Sequence, residues 1–259
     1  MRRVIFNQKG GVGKSTITCN LAAISAVRGH KTLVIDLDLQ GNSSQYLLGK
    51  RANGIEPSLA NFFEQTIGFR LFKDKPRPIE AFIHPTPFAN LSIMPANPEL
   101  EALQSKLEAK HKIYKLREAL NALSGYEAIY IDTPPALNFF SQSALIAADR
   151  CLIPFDCDDF SRRALYLLTD NIREIQQDHN SNLRIEGIIV NQFQSSAKLP
   201  KQLVEELIAE GLPVLKTHIA SSVKIRESHQ CVTPLIFFAP EHKVTLAFTH
   251  LFEELEQRS

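Results

Sequence analysis

The chain has 259 residues, 44% of them hydrophobic and 22% charged. That is an ordinary soluble globular composition, with room for one large α/β domain or two small ones. A formal net charge of +1 excludes a global field that would draw the chain to nucleic acid, so any contact with DNA or lipid has to come from a local patch. No run of about 18 apolar residues is present to span a bilayer, and Met1–Phe6 has no signal-peptide pattern. The four cysteines, Cys19, Cys151, Cys157 and Cys231, show no CxxC or Cys/His spacing suited to zinc. They read as small hydrophobes in a reducing compartment, and a cytoplasmic protein is expected.

In chain order, the apolar run Arg3–Asn7 predicts a first buried strand, and Lys14–Arg28 a helix. Between them lies Gln8-Lys9-Gly10-Gly11-Val12-Gly13-Lys14-Ser15-Thr16, a glycine-rich loop in the strand-to-helix context of a phosphate-binding loop. Glycine lets successive N–H groups curl inward toward phosphate oxygens, and the helix start adds its dipole. Lys14 is placed to bridge β- and γ-phosphates, the Ser15 hydroxyl to ligate Mg²⁺, and Thr16 to reach the α-phosphate. The pattern GxxxxGK[ST] is not met in full, because Gln8 stands where its first glycine would fall. In exchange Lys9 precedes the glycines. Either it is a solvated lysine, or it projects across a subunit interface to phosphate held by a partner.

The second strand, Thr32–Asp36, ends in Asp36-Leu37-Asp38-Leu39-Gln40-Gly41-Asn42. Ligands of parallel sheets sit beyond the carboxyl ends of the strands, where these aspartates emerge. Asp38 is the better placed of the two to orient an attacking water or the magnesium shell, and Gln40–Asn42 to sense the γ-phosphate. The alternative is that both aspartates form caps and turns. Residues 50–90, punctuated by prolines and containing Lys73-Asp74-Lys75, read as helix and loop decoration.

Leu91–Pro95 predicts a third strand and Pro98–Leu123 one long helix capped by Asn97. Ala128–Asp132, followed by Thr133-Pro134-Pro135, is an apolar strand ending in aspartate, and after a phosphate loop it matches a Walker-B element in which Asp132 holds Mg²⁺ directly or through water. Strands at Cys151–Pro154, Ile185–Asn191 and Val214–Ile219 follow, with helices at Ser161–Gln177, Pro200–Glu210 and His242–Glu256. Alternating β and α with continuous apolar strands predicts a doubly wound, mostly parallel α/β sheet covered on both faces, in one domain spanning residues 1–259.

Three of these segments together resemble the ParA/MinD family of deviant Walker-A ATPases, closest to Soj-like ParA partition ATPases, over essentially the whole chain. Lys9–Thr16 looks like the family's signature loop, Asp36–Asn42 its second motif and Asp132–Pro135 its third. The stretch Val223–Ser228, then Pro234 and Ala239-Pro240 before a final helix, is similar to ParA C-termini. The resemblance implies ATP and Mg²⁺ as cofactors and a nucleotide-sandwich homodimer in which Lys9 reaches the partner's phosphates. It implies that Asp38 is needed for hydrolysis, that Asn191 contacts adenine, and that Ala220 and Ser222 lie beside the base.

It further implies ATP-dependent binding to nucleoid DNA, stimulation by a ParB-like adaptor, and positioning of a plasmid, chromosome region or protein cargo. Two departures stand out: Leu39 replaces the usual proline, and Ala220-Ser221-Ser222-Val223-Lys224 replaces a more basic stretch that helps bind DNA. Lys198, Lys201, Lys224 and Arg226 are the remaining candidates for a basic face across a dimer. A MinD-like membrane regulator needs a basic amphipathic C-terminal helix, whereas Leu251–Ser259 is acidic. A metabolic enzyme on the same scaffold, such as an ATP-dependent amidase relative or an iron–sulfur reductase, is the third reading. For the reductase, Cys151 and Cys157 do not look placed to hold a cluster.

Overall fold

The computed structural model describes residues 1–68, 76–157, 161–194 and 198–258; the Lys73–Lys75 run lies outside them. The strands are β1 (Arg2–Ile5), β2 (Thr32–Asp36), β3 (His84–Pro85), β4 (Leu91–Met94), β5 (Ala128–Asp132), β6 (Arg150–Asp156) and β7 (Arg184–Asn191). They form one sheet in the order β3-β4-β2-β5-β1-β6-β7, parallel throughout except for β3, which runs against β4. Residues two apart on a strand share a face, and the core divides accordingly. Val4, Leu33, Ile35, Ile129 and Ile131 pack on one side, and Ile5, Val34, Tyr130 and Leu152 on the other. The doubly wound expectation therefore holds, and it places the loop after β1 between the ends of β5 and β6, with the end of β2 next beyond β5.

Helices cover both faces: α1 (Lys14–Val27), α2 (Asn42–Leu48), α3 (Leu59–Ile67), α4 (Leu100–Ala109), α5 (Lys115–Ala122), α6 (Phe139–Ala147), α7 (Ser161–Asp178), α8 (Lys198–Ala209), α9 (Val223–Gln230), α10 (Leu235–Phe238) and α11 (Lys243–Glu256). The expected single helix over 98–123 is two. It stops because His111 takes φ 52°, with Lys112 N–H bonded to the Leu107 carbonyl and His111 N–H to that of Glu108, the two bonds of a Schellman end. Its first cap also differs: Glu99 is the capping residue, although Asn97 Oδ1 still accepts the Glu99 N–H.

The expected strand Val214–Ile219 shrinks to a single bridge between Val214 and Ile188. Leu215 N–H still bonds to the Ile188 carbonyl, but the Thr217 N–H, which the next ladder bond would need, is bonded instead to the Glu254 carboxylate of α11, as is the outward Lys216 N–H, both at 2.9 Å. The Val190 carbonyl accepts from the Ile219 N–H. At the opposite end of the sheet from the strand carboxyl ends, buried Arg3 meets Glu186 at 2.9 Å and Glu256 at 3.1 Å, tying β1 to β7 and α11.

Candidate nucleotide site

The loop Gln8–Gly13 leaves β1 and delivers Lys14 to the first position of α1. Gly11 and Gly13 have φ of 76° and 89°, a region costly for any residue with a Cβ. Gly13 is fixed by space as well, since a Cβ there would lie 2.3 Å from Asn191 Nδ2. That amide donates to the Val12 carbonyl at 2.8 Å, and Gln192 Nε2 donates to the Gly11 carbonyl at 2.8 Å. The end of β7 thus clamps the loop from outside.

Lys14 is 7% exposed, and its Nζ donates to the Lys9 carbonyl at 3.0 Å. Burial lowers its pKa, opposed by the charges of Asp132 and Asp38. A buried ammonium with one neutral acceptor retains donors for an anion. Lys9 lies at the rim, its Nζ 3.8 Å from Asp156 Oδ2.

The two aspartates after β2 do different work. Asp36 is fully buried; its Oδ2 accepts both the N–H and the hydroxyl of Ser44 at 2.7 Å, and its Oδ1 accepts the Asp38 N–H at 3.2 Å. The Ser44 hydroxyl in turn accepts the Ala96 N–H at 2.9 Å. Asp36 is thus an anchor for the start of α2 and for the chain after β4. Asp38 is only lightly committed. Its Oδ1 closes a turn on the Gln40 N–H at 3.0 Å, while its charge acts on Lys14 and on Asp132.

Asp132 faces Asp36 across the β2–β5 ladder. Its Oδ2 accepts the Ser43 hydroxyl at 2.7 Å, whereas its Oδ1 is buried without a partner. Burial pushes its pKa up to about 6, opposed by the neighbouring Ser15 and Ser43 hydroxyls. An orphaned buried carboxylate oxygen calls for a cation or water. With the Ser15 hydroxyl beside it and Asp38 nearby, the donors are all hard oxygens. That set fits Mg²⁺, which takes one or two carboxylates and completes its octahedron with water and phosphate. Among the described residues no cluster of three or more His, Cys, Asp or Glu side chains forms a dedicated metal cage.

Beyond the loop opens a cavity of about 470 Å³, of the size small-molecule sites usually have. Gly11, Gly13 and Thr16 line one end, and Asn191, Ala220 and Ser222 another part of its wall, so the expected phosphate and base residues border one space. Helix α9 forms a wall of it through Ile225 and Arg226. Its His229, which sequence reasoning passed over, bonds through Nε2 to the Thr16 hydroxyl at 3.0 Å and stacks on Tyr46 at 3.9 Å. No motif spacing links residue 229 to residue 16.

The four basic candidates lie on two helices. Lys198 and Lys201 are on α8. On α9, Arg226 borders the cavity, whereas Lys224 pairs with Glu227 at 2.7 Å and lies over the Phe238 ring.

A family model described as an AAA domain matches residues 3–185. The chromosome partitioning protein ParA of Myxococcus xanthus is 35% identical, over 98% of this chain and 87% of that protein. The chain belongs to the ParA/MinD family of deviant Walker-A ATPases. Among solved structures, a putative plasmid partition protein of Borrelia burgdorferi bound to AMPPNP superposes with a TM-score of 0.83. It is 23% identical, and 100% of this chain and 99% of that one are covered. A cobyrinic acid a,c-diamide synthase of Mycobacterium smegmatis with bound ADP and magnesium gives 0.82 at 22% identity, covering 99% and 94%. In this chain the two-lysine loop follows β1, Asp36 and Asp132 close β2 and β5, and Asp38 follows β2, all at the ends of the adjacent strands β2, β5 and β1.

Proposed function

We propose that the chain is a ParA-like ATPase that binds ATP with Mg²⁺ between the loop 9–16, Asp38 and Asp132, and hydrolyses it slowly. The observation that carries this reading is the buried Lys14 ammonium with one neutral acceptor, set among carboxylates of which Asp132 has an unpaired oxygen. A triphosphate replaces the Lys9 carbonyl as the partner of Lys14 Nζ, exchanging a neutral acceptor for a charged and stronger one. Ser15, Asp132 and Asp38 would hold magnesium, which neutralises charge on the phosphate oxygens. Asp38 accepts a hydrogen bond from the attacking water and aims it at the γ-phosphorus. Adenine lies along Asn191, Ala220 and Ser222, with the Asn191 amide donor shared with the Val12 carbonyl.

On this reading Lys9 leaves the rim for the phosphates of a second copy, so ATP favours a homodimer. The dimer binds DNA without sequence preference, a ParB-like adaptor stimulates turnover, and the cycle positions a cargo on the nucleoid in the cytoplasm. The single domain spans residues 1–259. A membrane-surface role is disfavoured by α11, whose apolar residues Val244, Phe248, Leu251, Phe252 and Leu255 are buried. Among the described residues no helix is long and apolar enough to cross a membrane.

The test is titration with fluorescent ATP and ADP, with turnover and light scattering alongside. Lys14→Ala is expected to abolish nucleotide binding, Asp38→Ala to keep binding and dimers while stopping turnover, and Lys9→Gln to prevent ATP-dependent dimers. Tight binding by the Lys14 variant sinks the site assignment. For DNA, the arm is a salt-dependent mobility shift with ATP, and no shift at low salt removes the nucleoid part of the proposal.

A further inference from the structure

We propose that His229 is a positioning residue of the nucleotide site, one that aims the Thr16 hydroxyl at a phosphate oxygen and ties the posture of α9 to occupancy of the loop. The inference rests on the nucleotide reading above and adds to it a residue outside the three motifs.

Three observations carry it. First, the His229 Nε2–Thr16 Oγ1 distance of 3.0 Å is a full hydrogen bond to the last residue of the phosphate loop. Second, the ring is not free to leave. It stacks on Tyr46 at 3.9 Å with 14° between planes, and the neighbouring Ser228 hydroxyl bonds to Tyr46 at 2.8 Å. Tyr46 is also within 3.4 Å of Asn20 Nδ2, which donates to the Thr16 carbonyl at 2.9 Å. Thr16 is therefore held at both its carbonyl and its hydroxyl by one connected set of side chains. Third, Ser222 caps α9, and Ile225, Arg226 and His229 share one face of that helix, at spacings of three and four. The first three of them line the same cavity as Thr16.

The chemistry follows from the two tautomers of a neutral imidazole. With the proton on Nε2, the ring donates to Thr16 Oγ1 and leaves the hydroxyl hydrogen for a phosphate acceptor. With the proton on Nδ1, Nε2 takes that hydrogen itself and turns the hydroxyl away. A bound phosphate selects the first arrangement, as a metal selects the tautomer of a histidine through its second nitrogen. The signal reaches further because Tyr46 sits on α2. The start of that helix is fastened to Asp36 through Ser44 and to Asp132 through Ser43. Through Tyr46, α2 thus joins the ring that holds Thr16 to the helix start that holds the two carboxylates.

The test is ADP affinity measured with a fluorescent analogue on the full chain. His229→Phe keeps a ring against Tyr46 and removes the bond, and is expected to weaken ADP binding by about five- to tenfold, the loss of one hydrogen bond. His229→Gln, whose amide donates from a similar reach, is expected to restore affinity to about twofold of the parent. His229→Asn, too short to reach Thr16, is expected to behave like His229→Phe and serves if that variant fails to fold. In a Thr16→Val background His229→Phe is expected to cost nothing further. Unchanged affinity in a folded His229→Phe, or an equal loss with Thr16→Val already present, overturns the proposal. A folded parent that binds no ADP fails earlier, at the nucleotide reading itself.

Discussion

Adding one methyl group at Gly13 tests how the loop is held. Gly13 has φ 89° and ψ 22°, a left-handed conformation that costs a residue with a Cβ roughly 1–2 kcal/mol. The new Cβ would also fall 2.3 Å from Asn191 Nδ2. The amide must swing away, and its 2.8 Å bond to the Val12 carbonyl is lost. Leaving a buried polar group unpaired costs about 1–3 kcal/mol. Gly13→Ala is therefore expected to destabilise the chain by about 2–5 kcal/mol, read as a lowered midpoint in urea unfolding at unchanged slope. Asn191→Ala alone removes the same bond without the strained backbone. The double variant is then expected to be no less stable than Gly13→Ala alone, because clash and bond have both gone with the side chain. Strict additivity, or a Gly13→Ala chain within about 0.5 kcal/mol of the parent, would refute the clamp argument.

Three further outcomes are expected. Arg3→Met should cost about 3–5 kcal/mol in denaturant unfolding, because it strands the Glu186 carboxylate, whose side chain is 3% exposed, without a counter-ion. Asp132→Asn should leave the nucleotide-free chain at least as stable near pH 7, since it removes a carboxylate that burial disfavours, while the gain in nucleotide affinity on adding Mg²⁺, reversed by EDTA, is lost. Burial lowers the His229 pKa below the usual 6.5, so the unfolded chain takes up more protons there. Stability is thus intact above about pH 6.5 and falls as pH drops below it. In His229→Phe, thermal melts between pH 7 and 5 should show a shallower decline.

The motifs were legible because they are local. A phosphate loop needs glycine at left-handed positions, a lysine and a hydroxyl in consecutive residues, and strand and helix on either side. All of that lies within Arg3–Arg28. Asp132 was legible for the same reason, as the last residue of an apolar run. What escaped depends on long-range partners. Val214–Ile219 reads as a strand, but Glu254, 37 residues away from Thr217, takes the N–H that would have continued its pairing with β7. Asp36 and Asp38 are alike in sequence, and only Ser44 and Ala96 show that the first is an anchor. The break at His111 needs a left-handed residue that is not glycine, which sequence patterns do not flag. His229 gives no periodic or compositional signal at all, and neither does the turning of Arg226 to the cavity while Lys224 pairs with Glu227.

The grip of Glu254 on the Lys216 and Thr217 amides carries a practical message. The segment it steadies continues directly into Ala220–Val223, part of the wall of the cavity. A carboxylate in the last turn of α11 is thereby wired to the pocket's lining. Fusions or trimming at that helix should be treated as edits to ligand affinity, and a tag placed there deserves its own binding curve before any variant is compared with it.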